Sequence, residues 1–225
     1  MPNYHINSDS LKSPVFKRTI LLALLLTPIV VWAAYKPVRI IAPQWNGVSC
    51  VTEQICIESP EKAEEAKALY DSAVAFVNEF VGEVQRNPRI TFCSSAECFG
   101  AFGFRAPAKA KTVGLSGIVV GPDGWKSHIL RHEIIHHLQA ERLGIIGQWC
   151  SPPWFKEGMA YSLSKDARNL TEPFKSYREK FGNWRTQVGN EQMWEAASAA
   201  SSCSLLRVGT PARISAGDSG VGLRQ

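Results

Sequence analysis

From Thr19 to Tyr35 the chain carries no charged residue, and the segment from Ile20 to Leu26 is wholly aliphatic. Lys17 and Arg18 stand directly before it. Positive charge on the near side of an apolar run keeps that side in the cytoplasm and sends the downstream chain across the membrane. A retained anchor needs roughly 17–25 apolar residues, and this run sits at the lower end of that range. A cleaved signal peptide needs a small-residue exit, which Val31-Trp32-Ala33 offers. The polar lead of residues 1–18 favours the anchor. A single-pass membrane protein is therefore expected, or a secreted one if the segment is cut. On either reading residues 37–225 lie outside the cytoplasm, in a periplasmic or extracellular space.

The six cysteines agree with that placement. Cys50, Cys56, Cys93, Cys98, Cys150 and Cys203 all lie downstream of the apolar run, and an even number in an oxidising compartment reads as disulfides. The tight spacings suggest Cys50–Cys56 and Cys93–Cys98, leaving Cys150–Cys203 as a long-range staple. No Cys-x-x-Cys pair is present, which argues against a thiolate zinc site. Nucleic acid is excluded as a partner on charge. Lys12, Lys17, Arg18 and Lys36 against Asp9 give residues 1–36 a charge of +3 out of +5, so the other 189 residues hold only +2. A nucleic-acid binder would show a concentrated basic surface there.

The chain divides into three regions: a lead and anchor over 1–36, one domain over 37–206, and a loose tail over 207–225 rich in Gly, Ser and Ala. In the domain, 48–57 reads as a strand or hairpin around the first cysteine pair. Ser59-Pro60-Glu61 reads as a helix start, opening a helix over about 60–86 with Ala66, Leu69, Ala73, Phe76, Val77 and Phe80 on one stripe. Asn87-Pro88 ends it, and 89–93 is a short strand before a compact turn. The segment 112–120 reads as one strand, closed by Gly121-Pro122-Asp123-Gly124. A helix over about 125–143 stops at Gly144. Pro152-Pro153 opens another to about Ser164, and helical sequence continues to about Ala200. Early strands with helices after them define an α+β domain.

Four of the five histidines, His128, His132, His136 and His137, fall within ten residues. They include His132-Glu133-Ile134-Ile135-His136, the H-E-x-x-H pattern. On a helix, positions i and i+4 share one face, so His132 and His136 can present two imidazoles to one ion. Glu133 lies some 100° around the helix, beside a metal's open position, where it can take a proton from water. A chain of this composition produces such a pattern by chance only about once in a hundred. A catalytic zinc has three protein ligands and an open position. Glu157, in Trp154-Phe155-Lys156-Glu157-Gly158-Met159-Ala160 on the next helix, is the candidate third.

At these residues the chain resembles the gluzincin metallopeptidases, such as thermolysin and the aminopeptidase N family. In these a second helix supplies a glutamate about this far beyond the H-E-x-x-H helix. The resemblance covers about Thr112–Ser164. It implies a zincin-like fold, a small sheet and then the two metal-bearing helices, and one Zn2+ held by His132, His136 and Glu157. Glu133 becomes the general base of peptide-bond hydrolysis, with a peptide or protein as substrate. It also implies that the strand before the catalytic helix takes the substrate as an extended peptide. Endopeptidase activity is expected over aminopeptidase activity, because no Gly-x-Met-Glu-Asn-like segment is present to hold a free amino end. Tyr161 and Tyr177 are both available to stabilise an oxyanion, and Tyr161, one turn past Glu157, could instead support a ligand. The alternative is a catalytically degenerate zincin fold that binds a peptide or protein at the membrane.

The remaining candidates have plainer expectations. His128 is expected to bond a neighbour, His137 to be packed or exposed, and Lys156 to be solvated. Trp149, Trp154, Trp184 and Trp194 are expected in the core before a pocket.

Overall fold

The computed structural model describes residues 14–34 and 36–200. They form an α+β assembly of eight α-helices and one mixed five-stranded sheet. Helix α1 (Pro14–Ala34) leads into α2 (Lys36–Ile41), then into the hairpin β1 (Ser49–Cys50) and β2 (Ile55–Ile57). Next come α3 (Ala63–Phe80), β3 (Ile90–Phe92), α4 (Ala96–Ala101), β4 (Ala110–Val113) and β5 (Gly117–Val120). Four helices complete the described residues: α5 (Ser127–Cys150), α6 (Pro153–Leu163), α7 (Phe174–Val188) and α8 (Met193–Ala200).

The sheet order is β1-β2-β3-β5-β4. Its centre, β2-β3-β5, is parallel, with Ile55 opposite Ile90 and Ile90 opposite Ile118. The two edges, β1 and β4, pair antiparallel. The central strands are buried on both faces, as parallel strands between layers must be. Ile90, Phe92, Ile118 and Val120 face the larger core with α3, α5 and α6, and Val119 and Cys56 face a smaller one with Phe99 and Phe102.

Two expected disulfides form. Cys50–Cys56 crosslinks the first hairpin at directly opposed positions, and Cys93–Cys98 ties the end of β3 to α4. Cys150 is also disulfide-bonded, and Cys203 lies outside the described residues, as does the tail over 207–225. Among the described residues no helix is long and apolar enough to cross a membrane. The side chains of 28–34, in the second half of α1, fall outside that description.

Four segments differ from expectation. The first long helix begins after a 3₁₀ turn (Pro60–Lys62) and ends at Phe80, six residues short. Gly82, at φ 151°, turns the chain. Contacts from α5 then claim the backbone beyond it: Gln85 and Arg86 N–H donate to the Glu141 carboxylate at 3.1 and 2.6 Å. Segment 112–120 is not one strand but the second half of β4, a turn and β5. Gly114 (φ 49°) and Gly117 (φ 142°) supply conformations that side-chain-bearing residues avoid, and Ser116 N–H closes on Val113 O at 2.9 Å. The segment after Cys93 is a helix, capped by Ser95, whose hydroxyl accepts from Cys98 N–H. Gly144 breaks α5 as expected (φ 73°), but helical structure resumes to Cys150.

Candidate metal centre

Helix α5 packs in the core with the sheet and is held over its first half by Ile129, Leu130, Ile134, Ile135 and Leu138, all buried. That stripe fixes the helix's rotation and so the direction of His132 and His136. Their Nε2 atoms lie 3.1 Å apart. Helix α6 packs beside α5 and delivers Glu157, whose Oε2 is 3.5 Å from His132 Nε2 and 3.7 Å from His136 Nε2. Tetrahedral ligands about 2.0–2.1 Å from a zinc ion stand about 3.4 Å from one another. The three donor atoms therefore fit one such ion. The three residues expected to meet across two helices do meet.

The charge state suits the same use. Burial pushes the Glu157 carboxyl up, but hydrogen bonds and charge from His132 and His136 outweigh it and hold it well below the usual carboxylate range. Burial pulls His136 down, yet Glu157 and Glu133 draw it above the ordinary histidine value. A proton and a metal thus compete for the same nitrogen.

His136 is oriented by a residue the sequence does not single out. Its Nδ1 sits 2.9 Å from Gln139 Oε1, and the fully buried Gln139 donates through Nε2 to Lys156 O at 3.0 Å. Lys156, expected to be solvated, is half-buried and takes part through its backbone. The only sequence signal for Gln139 is its position one turn past His136.

Glu133 is buried, lines the cleft beside His132 and Glu157, and accepts from Thr112 Oγ1 on β4 at 2.7 Å. The same hydroxyl lies 2.8 Å from Glu133 O. The cleft measures about 590 Å³, and its walls include the 105–111 segment leading into β4, Tyr161, Arg168 and Phe174. Tyr161 stacks edge-on against His132, with ring centroids 4.4 Å apart. Burial, then the Glu157 charge, pushes its phenol upward, so it keeps its proton at neutral pH. Tyr177 is not among the cleft residues; it packs against Phe174.

His128 is not one of the three donors; its Nε2 lies 4.0 Å from Asp166 Oδ1, and desolvation lowers its basicity. Asp166 is clamped by Arg168 through Nε at 2.9 Å. His137 is packed: it is buried and donates through Nε2 to Arg86 O at 2.7 Å. Of the four tryptophans, Trp154, Trp184 and Trp194 pack against the core. Trp149 lies outside the core and is 83% exposed.

No family model, no curated protein and no solved structure matches this chain.

Proposed function

We propose that the chain is a zinc-dependent peptidase of the gluzincin type, acting outside the cytoplasm from a membrane tether. The observation that supports this reading most is the convergence of His132, His136 and Glu157, with Glu133 on the same cleft wall. A zinc ion held by those three residues supplies Lewis acidity to a substrate carbonyl and acidity to water.

The chain's own groups then divide the work. Glu133 takes the proton from the water whose oxygen attacks the carbonyl carbon, and passes it to the amine nitrogen as the carbon–nitrogen bond breaks. Thr112 Oγ1 fixes the Glu133 carboxylate. Gln139 holds the proton of His136 on Nδ1, which leaves Nε2 free as a donor atom. Tyr161, a protonated residue of the cleft wall, would donate to developing negative charge.

The test is direct. The purified full chain is assayed for bound zinc and for cleavage of an unbiased peptide mixture, beside Glu133→Gln. Zinc in both and cleavage by the unsubstituted chain alone is the expected result. Zinc without cleavage by either would assign a peptide-binding module instead. A folded chain that takes up no zinc overturns the ligand set.

A further inference from the structure

The described residues include thirteen large apolar side chains left exposed, and they are not scattered. Six lie on α1 between Ile20 and Leu26. Six more are Ile41, Trp45, Val51, Ile145, Ile146 and Trp149. The last, Phe80, packs on Phe76 under the Lys165 ammonium.

The second six share one end of the sheet, where β2, β3 and β5 begin. Val51 N–H bonds Ile55 O at the start of β2. Arg89, next to the start of β3, donates to Ile41 O at 2.9 Å and to Glu53 O at 3.0 Å. Gln44, beside Trp45, reaches Cys50 Sγ. A Cβ on Gly114, in the β4–β5 turn, would touch the Ile145 side chain at 3.8 Å. Past the Gly144 break, Ile145, Ile146 and Trp149 form one apolar face on the last turns of α5. Trp45 is 72% exposed and Trp149 83%. Isolated apolar residues on a surface are ordinary, but a gathered set marks an interaction surface.

Chain continuity identifies the partner of that surface. Helix α2 begins two residues after α1 ends, and it is fastened to the domain. Ile40 is fully buried, and the Arg39 guanidinium donates to Ala101 O at 3.2 Å. A six-residue helix is about 9 Å long, so Ile41 cannot stand far from the end of α1. We infer that this rim, Ile41, Trp45, Val51, Ile145, Ile146 and Trp149, rests in the interfacial layer of the bilayer that takes α1. Tryptophan at both sides of the rim suits that layer, where an amphipathic ring lies at headgroup depth. Helix α5 runs about 15 Å from Glu133 to Leu143 before the Gly144 break. The docked rim thus holds the cleft no more than a few helical turns from the bilayer, and selects polypeptide close to the membrane. This inference rests on the tether in the proposed function and not on the hydrolysis.

The full chain is reconstituted in phosphatidylcholine–phosphatidylglycerol vesicles whose acyl chains carry bromine near the headgroup, and tryptophan emission is read. The expected result is quenching of which W149F and W45F each lose a separate part, while W184F, altered in the core, retains the whole. Quenching abolished by W32F alone, and unchanged in W149F and W45F, leaves the tether standing and overturns the docked rim. Failure of the chain to associate with vesicles overturns both. A dimer in detergent that W149S converts to monomer assigns the rim to a second copy, which also overturns the inference.

Discussion

Gln139 Oε1 and His136 Nδ1 are 2.9 Å apart, and this contact fixes where the imidazole keeps its proton. The Gln139 amide nitrogen is committed to Lys156 O, so the oxygen must face the ring. An oxygen there accepts only from an N–H, which places a proton on Nδ1, so that in the neutral ring the lone pair is on Nε2. The bond also ties α5 to the residue before Glu157, so one amide aligns ligands on both helices.

Gln139→Leu keeps the volume and removes both hydrogen bonds. Zinc affinity should fall by about 10–100-fold, the usual effect of removing a ligand's supporting partner. Competition with a fluorescent chelator reads the change directly. Unaltered affinity would mean that the helices alone set the geometry.

Glu133 and Thr112 separate chemistry from metal binding. Glu133→Gln should lower kcat by about 10²–10⁴-fold, the range for loss of a general base, with zinc stoichiometry unchanged. Thr112→Val removes the 2.7 Å hydrogen bond but keeps the base. Its kcat should fall roughly tenfold, matching a hydrogen bond of about 1.5 kcal/mol to a charged group. KM should be little altered by either change, and a loss confined to KM in Thr112→Val would reassign that hydroxyl to substrate binding.

Much of this is legible in residue order, and the exceptions have physical causes. The i, i+4 spacing of His132 and His136 depends on helix periodicity alone, and Glu157 is named by the resemblance of its motif to that of the gluzincins, so the three donors can be named without any knowledge of contacts. Gly144 likewise announces its break. Helix α3 is shorter than its sequence suggests because the apolar stripe continues past Phe80, while Glu141 and His137 of α5 hold the backbone of 85–86 in another shape. Gly114 and Gly117 inside an apolar run hide a hairpin. Thr112 is invisible in the sequence because its role is a tertiary contact, and Gln139 is marked only by standing one turn past His136, since its bond to Lys156 O joins two helices.

Glu58 gives stability a pH dependence away from the site. Burial pushes its carboxyl up, but the Ser95 hydroxyl and the Ser95 and Ser94 N–H groups outweigh this and hold it below the ordinary glutamate value. The hydrogen bonds are 2.6–2.8 Å long. A depressed folded-state pKa stabilises above the unfolded value and is lost as pH falls through the folded one. The contribution is therefore full at neutral pH and declines from about pH 4.5 downward. Glu58→Gln should cost about 1 kcal/mol at pH 7, with the two chains converging in acid. Urea unfolding at pH 7 and pH 3 measures both ends, and a constant gap between the curves would exclude ionisation as the cause.

Gly158, the residue after the glutamate ligand, explains a part of the Trp154–Ala160 motif that metal chemistry does not. A Cβ at this position would lie 2.2 Å from Tyr177 O and 2.9 Å from Phe181 Cβ. Only glycine lets the backbone of α7 approach α6 so closely, and that packing sets the rotation of α6 that aims Glu157. Gly158→Ala must push the helices apart, at about 1–3 kcal/mol for overpacking. The displaced turn carries Glu157, so zinc affinity should fall together with thermal stability. Gly182→Ala is the control, since a Cβ there meets nothing within 4 Å; it should keep zinc affinity. Equal zinc affinity in Gly158→Ala and the unsubstituted chain would show that Glu157 is placed independently of the α6–α7 contact.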